Sequence, residues 1–154
     1  MITARATHRW LAALSPWSLA FAFAVLAGMV AAQAPEPRDA DWKAMQAIIA
    51  EQRAALVAGD GDEAFSYATP AIRAQFGDAQ TFMEMVRGGY AALLTARYVE
   101  FLQGAVIDGT IIVPLRLVDA DNTVRVALYI MEKQSNGGWR IAGCRIAPST
   151  VQAT

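Results

Sequence analysis

The stretch TIIVPLRLVDADNTVRVALYIMEKQSNGGWRIAGCRI, residues 110–146, decides the fold of this chain. Its segments Thr110–Val118, Thr123–Lys133 and Trp139–Ile146 read with a period of two, the signature of strands whose side chains point to opposite faces in turn. Asp121-Asn122 and Asn136-Gly137-Gly138 separate them, and connections this short predict hairpins, hence antiparallel pairing. One step upstream, Arg97–Ile107 has the same period and joins the set through Asp108-Gly109. The expected sheet is therefore a meander of four long strands.

Before Tyr90 the period is that of helices. Trp42, Met45, Ile48, Ile49, Leu56 and Val57 recur at three- and four-residue steps, with Lys43, Glu51 and Arg53 assigned to the other faces. Asp39 or Asp41 can cap this helix and Gly59 ends it. Asp62 to Tyr67 reads as a short helix, and Pro70 suits the first turn of another that Gly77 closes. Asp78 then caps a helix bearing Phe82, Met85 and Val86 on one face and stopping at Gly88-Gly89. Helices followed by a meander predict an α+β fold with the helices packed on one face of the sheet.

The ends of the chain read differently. Arg5 and Arg9, the apolar run Leu11–Val30 and the small residues around Ala31 and Ala32 form the three parts of an export signal, with the cut expected after Ala32. The competing reading is an uncleaved anchor, which Pro16 and the alanine-rich end disfavour. The expected organisation is a signal over 1–32, a linker over 33–40, one domain over 41–148 and a frayed tail over 149–154. The membrane then matters only during export, and the mature chain is periplasmic or secreted.

Composition narrows the chemistry. Loss of residues 1–32 removes Arg5, Arg9 and the only histidine, His8, leaving 11 basic against 14 acidic groups. A mildly acidic domain without a Lys/Arg run offers no footprint for nucleic acid. Without imidazole, Ser-His-Asp and Cys-His designs and histidine metal sites are excluded from the mature form, and no metal or cofactor is expected. Cys144 stands alone, so it forms no intramolecular disulfide, and in its apolar strand it reads as a small hydrophobe.

Three blocks in the helical half, Gly59-Asp60-Gly61-Asp62-Glu63-Ala64-Phe65, Ala68-Thr69-Pro70-Ala71-Ile72-Arg73 and Phe76-Gly77-Asp78, resemble the bacterial family known as domain of unknown function 4864. Val99-Glu100-Phe101-Leu102, Ala127-Leu128-Tyr129 and Trp139-Arg140-Ile141-Ala142-Gly143-Cys144 look like its later blocks. The element order is similar to that of the nuclear-transport-factor-2-like, or cystatin-like cone, superfamily. That resemblance implies a curved sheet closed by helices into a cone, but no assigned reaction, since the superfamily includes isomerases, dehydratases, hydrolases and non-catalytic modules.

Carboxylates, arginines and tyrosines remain as candidate groups. In the isomerase branch of the superfamily a buried carboxylate base works opposite a tyrosine hydroxyl. Here Glu100 alternates with Val99 and Phe101 and so faces outward, while Glu132 beside Lys133 reads as solvated. Arg116 and Arg125 lie on neighbouring strands; counting from the turn sets Leu117 or Val118 opposite Arg125 and Arg116 near Ala127 or Leu128. Two arginines on one face would clamp an anion, whereas the plainer expectation is that each pairs with Glu100, Glu132 or a helix carboxylate. Tyr67, Tyr90 and Tyr129 complete the candidate ligand-binding set. The leading expectation is a non-catalytic module that binds a small apolar or amphipathic ligand or a partner chain. The alternatives are a metal-free lyase or isomerase with a buried carboxylate and a tyrosine donor, and a homodimer formed through the open sheet face.

Overall fold

A computed structural model of the chain describes residues 36–148. The expected export signal over 1–32 and the tail over 149–154 lie outside the described residues. The elements run α1 (Asp39–Ala58), α2 (Gly61–Ser66), α3 (Pro70–Phe76), α4 (Ala79–Gly89), α5 (Ala91–Thr95), β1 (Tyr98–Phe101), β2 (Ala105–Ile107), β3 (Thr110–Val118), β4 (Val124–Lys133) and β5 (Trp139–Pro148). The fold is α+β, helices first and an open antiparallel sheet after them, in the order β1-β3-β4-β5 with β2 also paired to β3. No helix among the described residues is long and apolar enough to cross a membrane.

Local chemistry sets the helix ends. Asp60, Thr69 and Asp78 each accept a backbone N–H from three residues on, capping α2, α3 and α4. α1 begins at Asp39, two residues before the expected boundary, with Arg38 at the cap. Asp41 sits inside the first turn and accepts the Arg38 backbone N–H at 3.0 Å; it also takes the Trp139 indole N–H at 3.3 Å and lies 3.5 Å from Lys133 Nζ. One carboxylate thus ties the start of α1 to the β4–β5 hairpin. The Arg38 N–H, with help from Trp139 and Lys133, brings the Asp41 pKa down to about 2.

The first long strand expected over Arg97–Ile107 is two strands, and its first residue, Arg97, is outside both. Phe101 pairs with Leu115 and Ala105 with Ile112, so three residues of this strand lie across from two of β3. Pro114 supplies one reason. Its carbonyl accepts the Leu102 N–H at 3.0 Å, so its nitrogen faces the same neighbour with no hydrogen to donate, and the ladder breaks there. Gly104 supplies the other: a Cβ on it would collide with the Trp42 ring of α1, so only glycine lets the chain pass over the indole. α5 was not anticipated; its five residues are too few for helical periodicity to show.

A second irregularity shapes the interior. Ile130 pairs with Gly143 and Met131 with Ile141, leaving Ala142 as the extra residue of a bulge. Strict alternation would turn Ile141 away from Cys144. The bulge resets the phase, so Ile141, Cys144 and Ile146 all join the core. Along β5 the strap from Tyr67 to Thr69 makes a parallel bridge at Ala68, exchanging Ile141 N–H to Tyr67 O and Thr69 N–H to Ile141 O, which covers the edge of the sheet at that point.

The core lies between the helices and one sheet face. Met45, Ile49 and Leu56 of α1 meet Val113, Leu115 and Leu117 of β3 and Ala127, Tyr129 and Met131 of β4. Ile112, Pro114, Val126, Leu128 and Ile130, on the opposite face by register, belong to no part of that core.

Candidate functional site

Between α1, α3, α4, α5 and the inner face of β4 and β5 lies a cavity of ≈ 290 Å³. Its innermost lining includes Leu56, Val86, Leu93 and Tyr129, all buried, and its outer lining includes the half-buried Ile72, Phe76 and Met85 with the exposed Gln75. Its mouth is therefore at the α3–α4 edge. Phe76 meets Phe82 edge-on at 5.9 Å, which joins the two helices across that wall. α3 buries no residue completely, so the wall it forms is the least anchored part of the site.

Few polar groups reach this space, and their partners differ. Gln52, buried on α1, donates Nε2–H to the Ala64 carbonyl at 3.2 Å and so braces α1 against α2. Tyr90 donates its hydroxyl to the Cys144 carbonyl at 2.9 Å. Cys144 presents a thiol whose pKa burial pushes up to about 12, so it stays protonated and inert as a nucleophile near neutrality. Tyr129 is wholly buried and its hydroxyl has no hydrogen-bond partner. Burial holds its phenol well above the usual value, with nearby Cys144 acting in the same direction and Arg53 opposing it.

The five residues singled out from sequence are not brought together. Tyr90 and Tyr129 line the cavity. Tyr67 does not; its hydroxyl donates to Glu63 Oε1 at 2.5 Å, and that carboxylate raises the phenol pKa. Arg116 and Arg125 form no clamp. Leu117 stands opposite Arg125, as one of the two counted registers requires, and Arg116 stands opposite Val126, one position from Ala127. Adjacent residues of β3 point to opposite faces, so the two arginines lie on opposite sides of the sheet. Arg116 pairs with Glu100 at 2.7 Å on the outer face, and Arg125 pairs with Asp119 at 2.9 Å beside a separate open recess near Gly88 and Gly89. Both cations are matched by carboxylates. No Asp or Glu lines the ≈ 290 Å³ cavity, so a carboxylate and a tyrosine are not juxtaposed there.

Arg53 is the residue the sequence reading misplaced. Assigned to an outer face of α1, it turns inward, donates Nη2–H to the Ala96 carbonyl at 2.8 Å and buries an Nε–H that has no partner. The spacing held the signal: Arg53 is four residues after Ile49 and three before Leu56, inside the apolar stripe rather than outside it. Ile141 and Gly143 were also missed as lining residues, and a glycine within a strand is the mark of the bulge that brings them in.

Residues 38–154 match the model of the family described as Domain of unknown function (DUF4864). The chain belongs to this family. The match begins at the Arg38 cap of α1 and takes in every helix and strand of the DUF4864 domain, the whole cavity included. No curated protein and no solved structure is matched by the chain.

Proposed function

We propose that this DUF4864 domain is a non-catalytic binding module with the cone architecture of the nuclear-transport-factor-2-like class, exported after cleavage behind Ala32, and that it holds a small amphipathic ligand in the cavity between its helices and sheet. The observation that carries this reading is the Tyr129 hydroxyl, buried and unpartnered in the wall of a largely apolar space. A buried hydroxyl left without a partner costs about 1–3 kcal/mol, and a ligand's polar atom would recover that cost. At ≈ 290 Å³ the cavity falls at the lower edge of the range of about 300–1,000 Å³ that ligand sites span, so the occupant is small. Native mass spectrometry of the protein from its own cells tests this. A reproducible adduct, absent from a Val86→Phe variant that fills the cavity, is expected; a clean mass for both proteins would count against ligand carriage.

A second reading rests on the outer sheet face. Ile112, Pro114, Val126, Leu128 and Ile130 form an apolar surface there, with Ile130 39% exposed. Such a face suits a second copy of the chain, an isologous pairing in which the patch covers itself. Sedimentation equilibrium of Leu128→Arg against the parent chain decides it: a dimer that becomes a monomer supports the pairing, and a parent that is already a monomer removes it.

A further inference from the structure

We infer that the ligand is uncharged and that its polar end is a carbonyl, whose oxygen accepts the Tyr129 hydroxyl while an aryl or short hydrocarbon body fills the rest of the cavity. This rests on the reading that the cavity is a ligand site, and it adds the ligand's chemical class.

The lining selects against charge. Among the described residues that form the ≈ 290 Å³ cavity there is no Asp, Glu, Lys, Arg or His. An ammonium or carboxylate moved between such walls would lose its hydration and meet no opposite charge, a loss that one neutral hydrogen bond does not offset. Amphiphiles of the same size are thus sorted by whether they are ionised.

The direction of the unmet hydrogen bond selects the polar group. Tyr129 belongs to the core face of β4, directly opposite Cys144 of β5. Side chains stand roughly perpendicular to a sheet, so the hydroxyl, at the far end of the ring, projects from the strands toward the helix layer. That layer contributes Gln52 and Leu56 of α1 and Leu93 of α5 to the same lining. The hydroxyl is buried there without a partner. Of the carbonyl oxygens that other lining side chains reach, that of Cys144 already accepts from Tyr90 at 2.9 Å and that of Ala64 from Gln52 at 3.2 Å. A ligand hydroxyl or amide would bring a hydrogen of its own to a site whose nearby carbonyls are engaged. A ketone or ester oxygen accepts without donating, so it satisfies Tyr129 and leaves nothing new unmatched. Toward the mouth the walls carry the Phe76 and Phe82 rings and the adaptable Met85 side chain, which suits a flat aryl body.

Calorimetric titration of the dialysed protein at neutral pH with acetophenone, α-methylstyrene and benzoate separates the possibilities. All share a phenyl ring; α-methylstyrene replaces the carbonyl oxygen of acetophenone by CH2, and benzoate carries a full charge. Acetophenone is expected to bind about tenfold more tightly than α-methylstyrene, and benzoate at least tenfold more weakly than acetophenone. Tyr129→Phe should remove the advantage of acetophenone over α-methylstyrene. The carbonyl stretch of bound acetophenone, lowered by the hydrogen bond in the parent, should rise again in that variant. Equal binding of acetophenone and α-methylstyrene would overturn the carbonyl, and benzoate binding as tightly as acetophenone would overturn the neutrality; each leaves the cavity reading intact. Binding of none of the probes, or binding that persists unchanged in the cavity-filling Val86→Phe, would overturn both. The comparison of probes on the parent protein stands even where a variant fails to fold.

Discussion

The two faces of the sheet handle polarity in opposite ways. On the outer face, where water can serve any stray group, Arg116 and Glu100 are nevertheless paired at 2.7 Å. On the inner face, sealed by helices, Tyr129 keeps a hydroxyl with no partner. Folding stability alone favours the reverse, since an unmet donor costs most where water is excluded. An outer ion pair is a small stabilising detail, whereas an inner orphan is a departure whose cost the proposed ligand would offset. The difference teaches that the site is recognised less by which residue types are present than by which buried group the fold leaves unmatched.

The contrast can be broken first by truncation. Leu115→Ala on the inner face should lower stability by about 2–5 kcal/mol, the usual cost of a buried leucine with its cavity. Leu128→Ala on the outer face should cost at most half as much, read as the shift in urea midpoint at constant slope. Equal losses would mean that the outer face is also covered, which would favour the dimer.

Alkali sharpens the contrast next. Burial raises the Cys144 thiol from 9.0 to about 12, so the unfolded chain ionises first as pH rises. The stability associated with the neutral thiol is complete below pH 9.0 and is lost between there and about 12. The slope is about 1.4 kcal/mol per pH unit for this group, with Tyr129 acting in the same direction at higher pH. Chemical denaturation across that window should show the fall, and Cys144→Ala should flatten its first part; an unchanged profile in the variant would assign the loss to other groups.

Smaller effects separate the two polar groups themselves. In ligand-free protein Tyr129→Phe removes an unmatched hydroxyl at nearly constant shape and should raise stability by about 1 kcal/mol. A loss instead would show that the hydroxyl already has a partner. Glu100→Gln should cost less than about 1 kcal/mol and lose even that in high salt, because both side chains are more than two-fifths exposed, at 42% and 44%. A larger, salt-insensitive cost would place the pair at a buried interface.

Legibility from sequence followed the range of the interactions involved. Asp78 and Gly59 act within a turn of themselves, and both do what their positions predict, one accepting the Thr81 N–H and the other ending α1 with φ 76°. The hairpin turns at Asp108-Gly109 and Asp121-Asn122 are equally local, and Asp108 and Asn122 adopt the positive φ that such turns require. Glu100 faces outward as alternation demands, and Arg116 took it as partner, whereas Arg125 took Asp119, a carboxylate just beyond β3 that the expectation did not include. Of the candidate tyrosines, Tyr90 and Tyr129 reached the cavity, while Tyr67 was captured by Glu63 one helical turn away. Arg53 escaped because its charge was weighed above its spacing.

By itself, then, the sequence determined the helix-then-meander order, the Asp78 cap, the hairpins and the absence of any histidine after residue 8, all consequences of neighbours within a few positions. Tertiary structure alone decided that Ala142 bulges so that Ile141 and Cys144 share a face, that Arg53 reaches Ala96 across 43 residues, and that Tyr129 meets no partner in the core. Those outcomes depend on register and packing between distant segments. A backbone period records which way a side chain points, but only the assembled layers determine what it meets there.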